Sequence, residues 1–120
     1  MKDKKEPAAK RRRGEPLPRL IKEPVATRTL WLEGSTLPKR PEVRLGRPEI
    51  SPDGLSFRCP IQIHGLDGDK VRYIYGVDSM HALQLALKII AARLHSYTPE
   101  GDERLYWFEE VDDLGFPEND

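Results

Sequence analysis

The residues able to do chemistry in this chain are few and widely spaced. Cys59 is the single cysteine, so no intramolecular disulfide can form. It alternates with Phe57, Ile61 and Ile63, with no Cys or His at a metal-ligand spacing, and is read as a core thiol. Of the three histidines, His81 and His95 fall on one helical face fourteen positions apart. That is roughly 21 Å at ~1.5 Å per residue, too far to share a metal, and His64 lies on a strand. Asp67-Gly68-Asp69 is too short for the ~12-residue calcium loop. Glu109, Glu110, Asp112 and Asp113 could hold a divalent ion loosely, but a solvated acidic end is the better account of them. Lys10-Arg11-Arg12-Arg13 could lie along a phosphate backbone, or serve as a nuclear address in a eukaryote, or simply be a solvated arm. Ser79 follows Asp78 at a helix start, where either side chain can accept from first-turn amides. An anion drawn to those amides with help from Arg72 would be repelled by Asp78. The phosphate-cradling loop, the His-Glu-x-x-His pair and the Gly-x-Ser-x-Gly elbow are absent. No cofactor, metal site or catalytic set is expected, and the chain reads as a non-enzyme.

The elements that position these groups are set by periodicity. Residues 25–32 are rich in β-formers and predict a first strand; 43–45 predict a short second one. Ser51-Pro52-Asp53-Gly54 is a strong turn, proline fixing φ and glycine accepting positive φ at its exit. Phe57, Cys59, Ile61 and Ile63 then alternate with Arg58, Pro60, Gln62 and His64 as the clearest half-buried strand. Pro60 cannot donate to a ladder, which places a free edge or bulge beside it. Val71, Tyr73 and Tyr75 predict the apolar face of a fourth strand, with Arg72 and Ile74 opposite. From Met80 to Leu94 the apolar residues repeat at helical spacing: Met80, Leu83, Ala86, Leu87, Ile90, Ala91 and Leu94 on one broad face. Leu85 and Ile89 widen that face beyond what one sheet needs. Leu105-Tyr106-Trp107-Phe108 is too apolar to be free and is expected to dock as a last strand or extended segment.

Two resemblances follow from these letters. Gly76-Val77-Asp78-Ser79-Met80 with Ala82-Leu83 resembles the phosphopantetheine attachment motif of polyketide-type acyl carrier proteins, which implies cofactor attachment on Ser79. Carriers are helical bundles, however, and the fifty residues before this run alternate with period two. From Ala26-Thr27-Arg28-Thr29-Leu30 to Leu94 the chain is similar to a family of small uncharacterised bacterial domains. Its marks are the Arg-containing first strand, Cys59, Ile63-His64-Gly65, and Gly76-x-Asp78-Ser79-x-x-Ala82-Leu83 at the helix start. That resemblance implies an α+β fold and no activity.

Size and charge bound the rest. The 120 residues suffice for one modest core. With 20 basic and 20 acidic residues the net charge is zero, but it is unevenly placed. Residues 1–24 carry nine Lys/Arg against four acids, and 98–120 carry one Arg against nine acids. The expected organisation is a disordered basic arm (1–24), a single α+β domain (25–109) and an acidic flexible tail (110–120). The first residues lack the ~7–15-residue apolar stretch of a signal peptide. No run approaches the ~20 apolar residues of a membrane span, so a cytosolic protein without membrane contact is expected.

The predicted fold is thus α+β: an antiparallel four-stranded meander packed against one long helix, with a docked C-terminal segment. The core is expected to hold Phe57, Cys59, Ile61, Ile63, Val71, Tyr73, Leu83, Leu87, Ile90 and Leu94. The leading functional expectation is a small accessory protein acting through protein–protein contacts. Its partner is an unknown protein or a second copy, met through Leu85, Ile89 and Trp107. The alternative is nucleic-acid binding by Lys10, Arg11, Arg12 and Arg13, helped by Arg44, Arg47, Arg58 and Arg72 if those share an outer face. A carrier role for Ser79 ranks behind both.

Overall fold

The computed structural model describes residues 20–34, 39–66, 70–97, 103–108 and 113–117. Residues 10–13, 67–69, 109, 110 and 112 lie outside them, so the basic tetrad and most of the acidic run have no structural account. Seven strands and one helix follow in order: β1 (Ala26–Thr29), β2 (Trp31–Glu33), β3 (Glu42–Leu45), β4 (Glu49–Ile50), β5 (Phe57–His64), β6 (Arg72–Gly76), α1 (Ser79–Ser96) and β7 (Arg104–Tyr106). The architecture is α+β. An antiparallel sheet runs β1, β3, β5, β6, with α1 packed against it and a C-terminal strand beyond.

The single first strand expected over 25–32 divides at Leu30, which is fully buried and donates its amide to the Pro41 carbonyl at 2.7 Å. Before that point the chain pairs with β3. After it, the chain pairs with β7, placing Trp31 opposite Tyr106 and Glu33 opposite Arg104. The docked C-terminal strand is therefore seated on the second half of the first one.

The interruption foreseen at Pro60 lies between β3 and β4. The Gly46 amide donates to the Pro60 carbonyl at 2.8 Å, but proline has no N–H to return the bond. Pairing along that side resumes only at Glu49 opposite Arg58. Gly46 is also the one residue small enough here: a Cβ at this position would lie 2.5 Å from Pro60 Cγ. The other turn signals hold locally. The Gly54 amide donates to the Ser51 carbonyl at 2.9 Å, and Gly54 has a φ of 77°.

Helix α1 starts where expected, and Asp78 rather than Ser79 is its cap. Its extended backbone and its carboxylate, accepting from the His81 amide at 2.7 Å, satisfy one orphan donor. Ala82, Ala86, Ile90 and Leu94 are buried, with Leu83 and Leu87 partly so. The small side chains let the helix sit close on β5 and β6. A Cβ on Gly76 would come within 2.4 Å of the Ala82 backbone nitrogen. Because Ala82 rides over the last residue of β6, Met80 projects past the end of the sheet and is 62% exposed, not part of the core as its helical position suggested.

The core holds Cys59, Ile61, Ile63, Ile90 and Leu94 as expected, joined by Leu30, Leu32, Val43 and Leu45. One member, Tyr73, is corrected. Register puts Cys59 opposite Ile74 and Pro60 opposite Tyr73, and directly opposed residues share a face. Ile74 therefore faces the helix, whereas Tyr73 and Tyr75 face away from it. Val71 is buried, but outside the main cluster. Packing also continues past Glu109, where the domain was expected to end: Leu114 is buried in the core and Phe116 packs against it.

Candidate interaction surfaces

The groups singled out for chemistry are engaged structurally. Cys59 is fully buried with its thiol directed at the Gly46 carbonyl, 3.5 Å away, and burial pushes its pKa up to about 11. It is neither nucleophile nor ligand at neutral pH. His81 is half-buried, not on a bare outer face: its Nδ1 accepts from the Val77 amide at 2.9 Å, clamping the strand-to-helix junction. Ser79 is exposed as the first helical residue, on a sheet-backed helix rather than in the bundle that a carrier requires. Among the described residues, no three His, Cys, Asp or Glu side chains gather as a metal site. No helix there is long and apolar enough to cross a membrane.

Arg28 organises the C-terminal side. Its guanidinium lies 3.8 Å from the ring centre of Trp107 and 4.7 Å from that of Phe116. It donates to the carbonyls of Leu114 (3.0 Å) and Gly115 (2.7 Å). Burial lowers its pKa, against the opposing field of Asp113. Gly115, with φ 82°, leaves no room for a side chain: a Cβ would sit 2.3 Å from Trp107 and 2.6 Å from Arg28. Trp107, expected to be free for a partner, thus has one ring face occupied by its own chain. A second stack lies on the small sheet. Arg40 covers Trp31 at 3.8 Å, Trp31 stacks with Tyr106 at 6.4 Å, and the Tyr106 hydroxyl donates to Glu33 at 2.8 Å. That hydrogen bond, first among the causes, raises the Tyr106 pKa.

Of the four arginines expected to support a nucleic-acid face, Arg44 and Arg58 share the sheet face turned from the helix, Arg47 is exposed, and Arg72 lies on the other face. Arg58 is buried on the sheet face turned from the helix. Its Nε donates to Glu49 at 2.7 Å, and its guanidinium lies 4.0 Å from the Tyr73 ring centre. Burial alone would lower its pKa; the Glu49 carboxylate and the Tyr75 hydroxyl more than offset this and hold it raised. Arg44 donates to Glu42 at 2.7 Å and to the Ile21 carbonyl at 3.2 Å, and Ile21 returns an amide to buried Gln62 at 3.3 Å. Arg72, paired opposite Ile61, lies on the other face. Arg44 and Arg58 are thus engaged in holding the fold.

Four of the exposed large apolar side chains stand at one end of the sheet, while Phe108 (71%) and Val25 (54%) are exposed elsewhere. Leu55 (78% exposed), Val77 (77%), Met80 (62%) and Ile50 (58%) lie around Phe57, which pairs with Ile50 on one side and Gly76 on the other. Leu85 is half-buried and Ile89 is 37% exposed on one flank of α1. Sequence periodicity found Leu85 and Ile89 because they exceed the core arc. It missed the end patch, since Leu55 reads as a turn residue and Met80 as core. Their shared signal is position: Ile50 and Leu55 bound the turn into β5, and Val77 and Met80 the junction of β6 with α1.

A family model described as Domain of unknown function (DUF6968) matches residues 26–118, and the chain belongs to that family. No curated protein and no solved structure matches the chain.

Proposed function

We propose that this member of the family is a small non-enzymatic accessory protein of the bacterial cytosol that works through protein–protein contacts. The observation carrying this reading is the end patch of Ile50, Leu55, Val77 and Met80. Single exposed apolar side chains are ordinary, but several at one end of a small sheet favour burial against another chain. The engagement of Cys59, His81, Arg28 and Arg58 in packing and hydrogen bonds supports it too. Each of these four side chains is already engaged within the fold.

Nucleic-acid binding through residues 10–13 is the second reading, supported by the charge of residues 1–24. The pairing of Arg44 and Arg58 with Glu42 and Glu49 counts against a wider basic face. The carrier reading of Ser79 has only its local motif behind it.

Native mass spectrometry of the full chain, isolated at low salt from its own cells, tests the leading reading. The expected result is a stoichiometric complex with a protein chain, lost in a Leu55→Asp, Met80→Asp variant whose circular dichroism is unchanged. A wild-type chain recovered with neither a foreign protein nor a second copy would overturn it.

A further inference from the structure

The small sheet of β2 and β7 carries a row of side chains that the core does not use. Leu32 and Lys39 exchange backbone hydrogen bonds at 2.9 and 3.3 Å, and the Leu30 amide donates to the Pro41 carbonyl at 2.7 Å. Trp31 and Arg40 are the pair between those two, without backbone hydrogen bonds, where opposed side chains approach most closely. On its other side Trp31 stands opposite Tyr106, and Glu33 opposite Arg104. Directly opposed residues share a face, so Arg40, Trp31 and Tyr106 form one row across three chain segments, with Glu33 and Arg104 two positions along. Arg40, Glu33 and Arg104 are exposed, and Trp31 and Tyr106 half-buried. The opposite face of these strands is anchored, because Leu32 and Leu105 are buried in the core. The row thus faces solvent from a fixed base.

The charges of this row are not spent on one another. The Arg40 guanidinium lies 3.8 Å from the Trp31 ring centre, and neither Arg40 nor Arg104 forms an ion pair with a described residue. Glu33, the acid of the row, accepts from the Tyr106 hydroxyl at 2.8 Å. That bond raises the Tyr106 pKa, whereas Arg104 and Arg40 both act to lower it, so both cations lie about the same hydroxyl. From this we infer that the Arg40–Trp31–Tyr106 row, with Arg104, is a docking site for an acidic segment of a protein partner, whose carboxylates pair with the two guanidiniums. The inference rests on the reading of this chain as a protein-binding module, and adds to the end patch a second surface of defined chemistry. Tryptophan, tyrosine and arginine are the residues that most often carry binding energy at protein interfaces. A guanidinium already held against an indole loses less freedom when it grips a carboxylate through two parallel hydrogen bonds. Charge distinguishes this partner from a nucleic acid. Glu33 sits on the middle strand, between the segments that carry Arg40 and Arg104. A phosphate backbone favours an unbroken run of cations and is repelled by that carboxylate. A polypeptide can set an acid at each arginine and a donor at Glu33.

An NMR titration of the full chain with N-acetyl hexaglutamate amide tests this, read at the Trp31 indole N–H and the Tyr106 amide. Saturable shifts of both are expected, weakening as salt is added. Arg40→Gln, at an exposed position, lowers the affinity about tenfold with unchanged circular dichroism, the scale of a charged hydrogen-bonded pair. Arg40→Lys recovers only part of it, because an ammonium cannot grip two oxygens in one plane. A Trp31 resonance that stays unmoved up to the solubility limit of the peptide overturns the inference. So does binding of undiminished affinity in Arg40→Gln, which would put the peptide on the basic residues 1–24. A single-stranded oligothymidylate that shifts the same resonances at lower concentration than the peptide also overturns it, in favour of nucleic acid. The Leu55→Asp, Met80→Asp variant is expected to bind the peptide as the wild type does. If the peptide fails while native mass spectrometry still finds a partner that this variant loses, the docking site is refuted and the protein-binding reading stands.

Discussion

Arg28 is the side chain on which the last described segment depends. It contacts Trp107, Phe116, Leu114 and Gly115 together, drawing them to β1. Arg28→Ala removes two charged hydrogen bonds to carbonyls and a cation sandwiched by two rings. We expect a loss of about 1–3 kcal/mol in denaturant unfolding, with Trp107 fluorescence shifting toward its solvated value. Arg28→Lys recovers only part, since an ammonium cannot span two acceptors and two rings at once. Cys59 makes a different prediction, one in pH. Its folded pKa of about 11 exceeds the ordinary thiol value of 9.0, so the folded state keeps its proton more tightly than the unfolded state does. Stability from this group is full below pH 9 and is lost as pH rises from 9 to about 11. The slope is ~1.4 kcal/mol per unit, and it should vanish in Cys59→Ala against that variant's own baseline. Urea titrations at pH 8, 9 and 10 measure it.

At the scale of elements, what could be read in advance depended on whether a signal was local. The turn at 51–54, the strand at 57–64 and the helix from 79 were legible because their cues are single residues or strict periods. The facing of β6 was not. Tyr73 and Tyr75 are the more apolar alternating set, yet register with β5 turns them outward, where Arg58 covers Tyr73 and makes that face habitable for aromatic rings. Nothing in the strand's own letters records the guanidinium that will cover it. The split of the first strand at Leu30 escaped for the same reason: both halves are good β sequence, and only their different partners divide them. Of the candidate surfaces, the surplus flank at Leu85 and Ile89 was visible as period, and the end patch was not. Gly76 marks the tightest junction of elements. Gly76→Ala drives a methyl into the Ala82 backbone, so helix and strand must separate. A loss of about 2–4 kcal/mol is expected in thermal unfolding, well above the ordinary gain from replacing glycine. A neutral Gly76→Ala would mean that α1 does not seat on β6 as described.

For the molecule as a whole, the sheet is built from neighbours in sequence, while its closure is not. The meander β1, β3, β5, β6 follows chain order, but β7 returns to β2, and the segment 113–117 returns to β1. Leu30 and Leu32 are therefore finished by residues from the far end of the chain. The clasp between Arg28 and the Leu114 carbonyl spans 86 positions, and this has a meaning in time as well as space. A ribosome adding roughly 5–20 residues each second makes Arg28 some 4–17 seconds before it makes Leu114. Throughout that interval the first strand exists with its final neighbours still unwritten. The clasp between Arg28 and Leu114 can therefore close only once residue 114 has been made. Its earliest strand is the part that a chaperone or an aggregating neighbour would meet first.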